Sequence, residues 1–337
     1  MISVFSSYIT RKDMDLVLSR MVEDAVVDDV FSDRFEKAIK EQFQFEYAIA
    51  LRSPYYALLK ALKVCELGAG ARIAISALAP SWHRVAVEDI GLTPIILDIE
   101  EETLHPSSES IQRADPSAII LFDALGKLPS SALLDTLSVP VIEDISQTLG
   151  NSGQSRVNMP FAYFSVWGLE ADSPIATGGG ALLCARGKRD AQILRALDEA
   201  LPPELKMTDY NAALGLSQLK SYSQMIGRRK TIREILQAQL ARTRHSGLRI
   251  EDTELWPGYA FPVFAEASAK EIIDYAKKHG VQAELAFASS SAMLEENAEA
   301  ISPSARSIAL RCVLFPMHHK LSNQQVDQMG KIIATLP

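Results

Sequence analysis

Three cysteines, Cys65, Cys184 and Cys312, are spread over 337 residues. They share no metal-ligand spacing and are too few to staple a fold. No metal centre and no disulfide framework are expected, and the compartment implied is a reducing cytoplasm. No run of eighteen apolar residues occurs, which argues against a membrane span. The opening Met1-Ile2-Ser3-Val4-Phe5 turns polar at Arg11-Lys12-Asp13 and carries no secretory pattern. Positive charge is scarce too: 34 Lys and Arg stand against 42 Asp and Glu, a formal charge of −8. Nucleic-acid backbones call for dense cation clusters, so that partner class is not expected. Arg228-Arg229-Lys230 is short and reads as a solvated helix face. Gly178-Gly179-Gly180 lacks the Lys-Ser/Thr of a P-loop. His318 and His319 are adjacent, so their rings point apart, which disfavours metal binding. Repeats and low-complexity segments are missing.

What remains is an ordinary globular composition, 47% hydrophobic and 23% charged, long enough for a large core. Helical spacing covers 12–29 and 33–43, with Ser32-Asp33 as a cap before the second. A strand at 47–51 and a helix at 55–67 follow. Strands at 72–75, 94–98, 119–123 and 140–144 then alternate with helical segments such as 82–90. Short apolar runs of this kind are what strands buried on both faces look like. The alternation predicts an α/β fold with a mostly parallel, doubly wound sheet. Two more strands fall within 161–185. A long helix spans 207–241, with a kink near Gly227. The rest reads as a smaller α+β unit: strands at 259–264, 281–287 and 312–316, and helices at 268–279 and 322–335, the last capped by Ser322. The domain division is 1–240 and 241–337.

Sites in doubly wound sheets form at the carboxyl ends of the strands. Asp98, Asp123 and Asp144 fall at such ends. Asp123, Glu143, Asp144 and Glu170 could converge there as an acid/base pair or a cation site, although refilling of a site by polar residues is the simpler reading. His83 beside Arg84 could line the ancestral pocket, but helix surface is the commoner reading of such a pair.

Several segments together resemble the DegT-type aminotransferases. Val141-Ile142-Glu143-Asp144-Ile145-Ser146-Gln147 is similar to a VIEDAAQ strand, and Ala212 to Leu219 to an AALGLAQL helix with Met207 where that motif begins. Gly178-Gly179-Gly180-Ala181 is similar to a GEGGA turn, Ile90-Gly91 through Asp98 to LGAKPVFVD, and Leu314 through Val326 to LPLYPGLTDEEV. The likeness runs in order over nearly the whole chain. It implies a fold type I pyridoxal-phosphate (PLP) transferase, a homodimer acting on nucleotide-linked keto sugars. It also implies site residues: Asp144 beside the pyridine nitrogen, Gln147 near the ring hydroxyl, Ser165 on the phosphate, and Trp82 near the stacking aromatic.

The same comparison exposes departures. The family's Schiff-base lysine falls on Glu170, counted from Ser165, and no lysine lies between Lys127 and Lys188. A carboxylate cannot form an imine. The phosphate cup SGTAAL is matched by Ser53-Pro54-Tyr55-Tyr56-Ala57-Leu58, in which Pro54 has no amide hydrogen to offer. Leu197 to Lys206 is too short for the family's partner-reaching loop, and Ala286 to Ala292 replaces its substrate loop. The expectation is a degenerate homologue with no catalytic residue of its own and no bound cofactor. Its role would be binding or scaffolding in sugar or polysaccharide biosynthesis, as a homodimer or beside an active paralogue. Two alternatives stay open. One is a lysine-independent enzyme on a nucleotide sugar, with Glu170 as acid/base or the amine form of PLP bound. The other is a transaminase using Lys127.

Overall fold

The computed structural model describes residues 1–6, 9–22, 30–148, 160–173, 175–250, 258–266 and 268–337. Seven strands form the central sheet: β1 (Tyr47–Leu51), β2 (Arg72–Ser76), β3 (Thr93–Leu97), β4 (Ala118–Phe122), β5 (Val141–Asp144), β6 (Tyr163–Gly168) and β7 (Ala181–Ala185). They lie in the order β1-β7-β6-β5-β4-β2-β3. The five from β6 to β3 are parallel, and β7 runs antiparallel to both its neighbours. Every residue of β4, β5, β6 and β7 is buried. That burial explains the unbroken apolar runs of the sequence. From β2 the chain first adds β3 outward and then returns to place β4 on the other side. The strand order therefore reverses there, next to the strand ends that carry the carboxylates.

Helices cover both faces, as expected of a doubly wound sheet. On one face α3 (Pro54–Val64) and α4 (Trp82–Glu88) bury Leu58, Leu62 and Val87 against Ile75, Ile120, Ile142, Phe164 and Val166. On the other, Phe35 and Ile39 meet Trp167, Leu182 and Leu216. They come from the second helix of the chain, Val30–Phe43, and from a later one, Asp209–Leu219. Trp167 is fully buried and packs edge-on against Phe43 at 4.9 Å. Such a pair adds about 0.5–1.5 kcal/mol beyond its area. Gly215 lets the two helices touch: a Cβ there would lie 2.7 Å from the Phe35 ring.

The smaller unit is a four-stranded antiparallel sheet of Ser246–Gly247, Phe261–Phe264, Glu284–Leu285 and Cys312–Phe315. Its apolar cluster also takes in Ile2 and, from the helix Tyr222–Leu240, Ile232, Leu236 and Leu240. Ile2 donates to Gly280 O and accepts from Gln282 N, both at 2.8 Å. A boundary at residue 240 therefore cuts through one packed cluster.

Several local expectations change. The helix expected over 12–29 is Arg11–Val22, and 23–29 lie outside the described residues. Ser32-Asp33 sit inside the second helix; its first amides, of Phe31 and Ser32, are instead capped by Asp209 Oδ1 at 3.0 Å. The helix expected over 207–241 is two helices that break at Lys220-Ser221, and the second runs straight through Gly227. Arg229 is no solvated residue: it is 4% exposed and donates to Gly258 O and Tyr259 O at 2.6 and 3.1 Å. The strand expected over 281–287 shrinks to Glu284–Leu285. Ser322 does form a capping box with Gln325.

Candidate functional site

The carboxyl ends of β4, β5 and β6 open into a cleft of about 110 Å³. A second space of about 290 Å³ adjoins it, sharing Phe122, Gln147, Asp172 and Tyr259, and is walled by Glu284 to Ser290 of the smaller unit. The start of α3 forms one wall. Ser53 caps it, its Oγ accepting from Tyr56 N at 3.2 Å, and Pro54 is the first helical residue. Proline is comfortable there because that amide has no helical partner. Its ring leans over the end of β6, where a Cβ on Gly168 would lie 3.0 Å from both Pro54 Cγ and Ser146 Oγ.

Asp144 is buried at the end of β5, and both its oxygens are engaged. Oδ1 accepts from Ser146 N at 2.9 Å and from the Ser146 hydroxyl, an Asx-type turn. Ser146 Oγ accepts in turn from Gly168 N at 2.8 Å. Oδ2 meets His83 Nε2 at 2.9 Å. His83 is fully buried, edge-on to Trp82 at 4.2 Å and to Phe122 at 6.0 Å. Its Nδ1 has no hydrogen-bond partner among the described residues. An imidazole held by one nitrogen against a carboxylate has its tautomer set by that contact, with Nε2 as the donor. The helix-surface reading of His83 is thus overturned. The surface position on α4 belongs to Arg84, which pairs with Glu88 and Glu295.

Gln147 lines the same cleft and accepts from Leu125 N at 2.6 Å. Its side chain also bonds Tyr259, whose hydroxyl donates to Asp172 Oδ2 at 2.8 Å. Burial, and then the Asp172 charge, push the Tyr259 phenol well above its usual range. Trp82 is half-buried on the cleft wall, with Tyr55 edge-on at 6.5 Å.

Ser165 goes elsewhere. In the parallel register of β5 and β6 it sits beside Glu143, whereas Asp144 sits beside Val166. Alternation then puts Ser165 on the sheet face opposite Asp144, outside the cleft lining. The four carboxylates do not converge. Glu143 accepts from Tyr163 OH at 3.0 Å on that opposite face, and Asp123 faces His105 Nε2 at 3.3 Å. Only Asp144 and Glu170 share the cleft. Glu170 is exposed and lies against the glycine turn, bonded to the Gly180 backbone. Its carboxyl is pushed up by the cost of partial burial and by the nearby Asp172 charge. No lysine or arginine is among the residues described as lining this cleft. Lys127 Nζ bonds Glu102 O and Arg249 O, and does not line it.

Sequence reading missed Tyr259 and Asp172, and it favoured the surface for His83. The spacing of Ser146 two residues after Asp144 is a usable Asx-turn signal, but nothing local marks Tyr259, which arrives from the other unit.

This architecture is shared. The aminotransferase TlmJ from Streptoalloteichus hindustanus superposes with a TM-score of 0.86 at 18% identity, over 99% of this chain and 98% of that one. A Streptococcus pneumoniae protein described as a sugar aminotransferase, solved in its PMP form, gives 0.86 at 20% identity over 99% and 96%. At such identities the likeness is one of fold. Among curated sequences, the L-glutamine:2-deoxy-scyllo-inosose aminotransferase of Micromonospora echinospora is 25% identical over 220 residues, 62% of this chain and 51% of that protein. GDP-perosamine synthase of Escherichia coli O157:H7 is 23% identical over 224 residues, 61% and 62%. The chain spans about half to three fifths of the length of the curated relatives it matches. The profile of one family, however, runs from residue 9 to residue 334. The chain belongs to the DegT/DnrJ/EryC1/StrS aminotransferase family.

Proposed function

We propose that this chain has kept the family's fold and given up its imine chemistry, and that it serves sugar or polysaccharide biosynthesis as a binding or scaffolding subunit, paired with itself or with an active paralogue. One observation carries this: the cleft at the strand ends has no lysine among its described lining residues, and its Asp144 is already bonded to His83 and Ser146. PLP needs an amine for the imine and donors for its phosphate. Pro54 removes one amide donor and packs over Gly168. Asp144 and Glu170 meet no cation in the lining. These residues do not fit the cofactor, and no step is derived through it.

The test is direct. Full-length protein is mixed with PLP, its near-visible spectrum recorded, then reduced with borohydride and mapped by peptide mass. No imine band and no pyridoxyl-lysine peptide are expected. A modified Lys127, or any other stoichiometrically modified lysine, refutes the reading.

Glu170 supports a second reading. A carboxyl pushed up by partial burial and a like charge can hold a proton for transfer. On that reading the chain is a lysine-independent acid/base enzyme on a nucleotide sugar. Glu170→Gln would abolish turnover of a keto-sugar nucleotide while leaving its binding intact; unchanged turnover excludes the role.

A further inference from the structure

The cleft at the strand ends and the larger space beside it carry charge of one sign. Asp144, Glu170, Asp172 and Glu284 line them, and no Lys, Arg or His is among their described lining residues. Asp144 is already matched by His83 and Ser146. The other three accept from neutral donors: Asp172 from Tyr259 OH at 2.8 Å, Glu284 from Gln282 Nε2 at 3.3 Å, and Glu170 from the Gly180 backbone. Burial, and then the Asp172 charge, push both the Glu170 and the Glu284 carboxyls up. A cation placed among the three would relieve that repulsion.

The surroundings say what kind of cation. Among the described residues no three His, Cys, Asp or Glu side chains are grouped closely enough to hold a metal ion. Glu170 and Asp172 follow β6, whereas Glu284 arrives from the smaller unit, so the charges suit a molecule that spans them. Two buried hydroxyls are also left open. Ser290 lines the larger space and is 1% exposed, and Ser173 lines the cleft and is 5% exposed. Neither hydroxyl has a hydrogen-bond partner among the described residues. Buried hydroxyls are normally paired, so two open ones at one site call for a ligand with hydroxyls of its own. Phe122 and Tyr259 are walls of both spaces, and aromatic faces attract ammonium groups.

We propose that this site binds a small hydroxylated amine in its ammonium form, carrying no phosphate. A phosphate would add negative charge to a lining that already holds four carboxylates. The proposal rests on the reading that the cleft has given up the cofactor, and it names the chemistry of what the cleft takes instead.

Calorimetric titration of the full chain with glucosamine at low salt tests it. Glucose is the neutral arm, putrescine an ammonium without hydroxyls, and uridine diphosphate glucose the anionic arm. Saturable glucosamine binding is expected, at least tenfold tighter than any other arm and weakened by added salt. Glu284→Gln and Asp172→Asn should each weaken it at least tenfold. Both replacements keep a side-chain oxygen that can accept the bonds described, so folding should survive, as circular dichroism would confirm. Glu271→Gln, on an exposed helix start elsewhere, should leave binding unchanged. Absence of saturable binding, any other arm binding as tightly as glucosamine, or equal weakening in the Glu271 variant would overturn the assignment. The two readings fail separately: a pyridoxyl-lysine after borohydride refutes the loss of imine chemistry whatever glucosamine does, and a failed titration leaves that loss standing.

Discussion

The pair His83–Asp144 should be measurable as a coupling energy. His83→Ala leaves a buried carboxylate oxygen without its donor, at a cost of about 1–3 kcal/mol. It also leaves a void where the ring packed between Trp82 and Phe122, so the total loss is about 2–4 kcal/mol. Asp144→Ala strands both nitrogens of a fully buried imidazole, because Nδ1 already lacks a partner among the described residues, and also loosens the Ser146 turn. A similar loss is expected. If each substitution removes the same contact, the double variant is less unstable than the sum of the two by about 1–3 kcal/mol. Urea unfolding at neutral pH reads this from the midpoints, provided the slopes agree among the four proteins. Losses that add to within about 0.5 kcal/mol would show that the two side chains do not support one another, and the claim that Asp144 is engaged would fall.

Gly215→Ala should destabilise the fold by about 1–3 kcal/mol through overpacking against Phe35, although alanine inside a helix normally gains up to about 1 kcal/mol over glycine; a stabilised variant in thermal unfolding would refute the close approach. Burial pushes the Glu36 carboxyl up to about 8, so the folded state binds the extra proton and stability falls as pH rises from the ordinary carboxylate range through 8. Glu36→Gln should remove that slope and, after allowance for partial solvent screening, gain on the order of 1–2 kcal/mol at pH 8 in urea titrations, while an unchanged pH profile would count against the burial. His318 and His319 run the other way: burial and Arg229 push them down to about 4 and about 3. The unfolded chain protonates first, so their contribution is whole above about pH 6.5 and is lost as pH falls towards 4, by about 2 kcal/mol for the pair between pH 6.5 and 5 after screening. A His318→Asn, His319→Asn double variant that keeps the wild-type acid slope would refute this.

The large sheet was legible because its strands are buried on both faces and therefore read as plain apolar runs bounded by helical spacing. The break at Lys220-Ser221 was not, because apolar positions keep helical spacing on both sides of it and no Gly or Pro marks it. Arg229 looked solvated because its neighbours are charged; its partners are two backbone carbonyls about thirty residues away, which no local pattern reveals. At the site, Asp144 and Gln147 were found by motif. Ser165 was matched by motif and Glu170 counted from it, and such a match says nothing about which face of a strand a side chain takes. Register settles the question, and register is a tertiary fact.

The three strand-end aspartates carry the argument further. Carboxylates at such ends are read as a site because they are expensive to bury without a purpose. Here each one has a partner within the protein. Asp98 accepts from Ser304 N and Ala305 N at 3.0 and 2.8 Å, capping the helix Pro303–Arg311 from across the chain. Asp123 faces His105, and Asp144 faces His83. Two of the three thus meet a buried histidine that arrives from a neighbouring loop or helix start. An imidazole can match a carboxylate's hydrogen bond without bringing a permanent charge into the core, which lysine or arginine would do. On the proposed reading, such a partner keeps the carboxylate useful to the fold without the cofactor. On this reasoning His83 is what holds Asp144 in a cleft with no lysine among its described lining residues. His83→Leu, similar in size and unable to donate, should then destabilise the wild type but be tolerated beside Asp144→Leu, where no charge remains to be satisfied. Equal losses in both backgrounds, measured by urea unfolding, would mean that Asp144 is kept for something other than the fold.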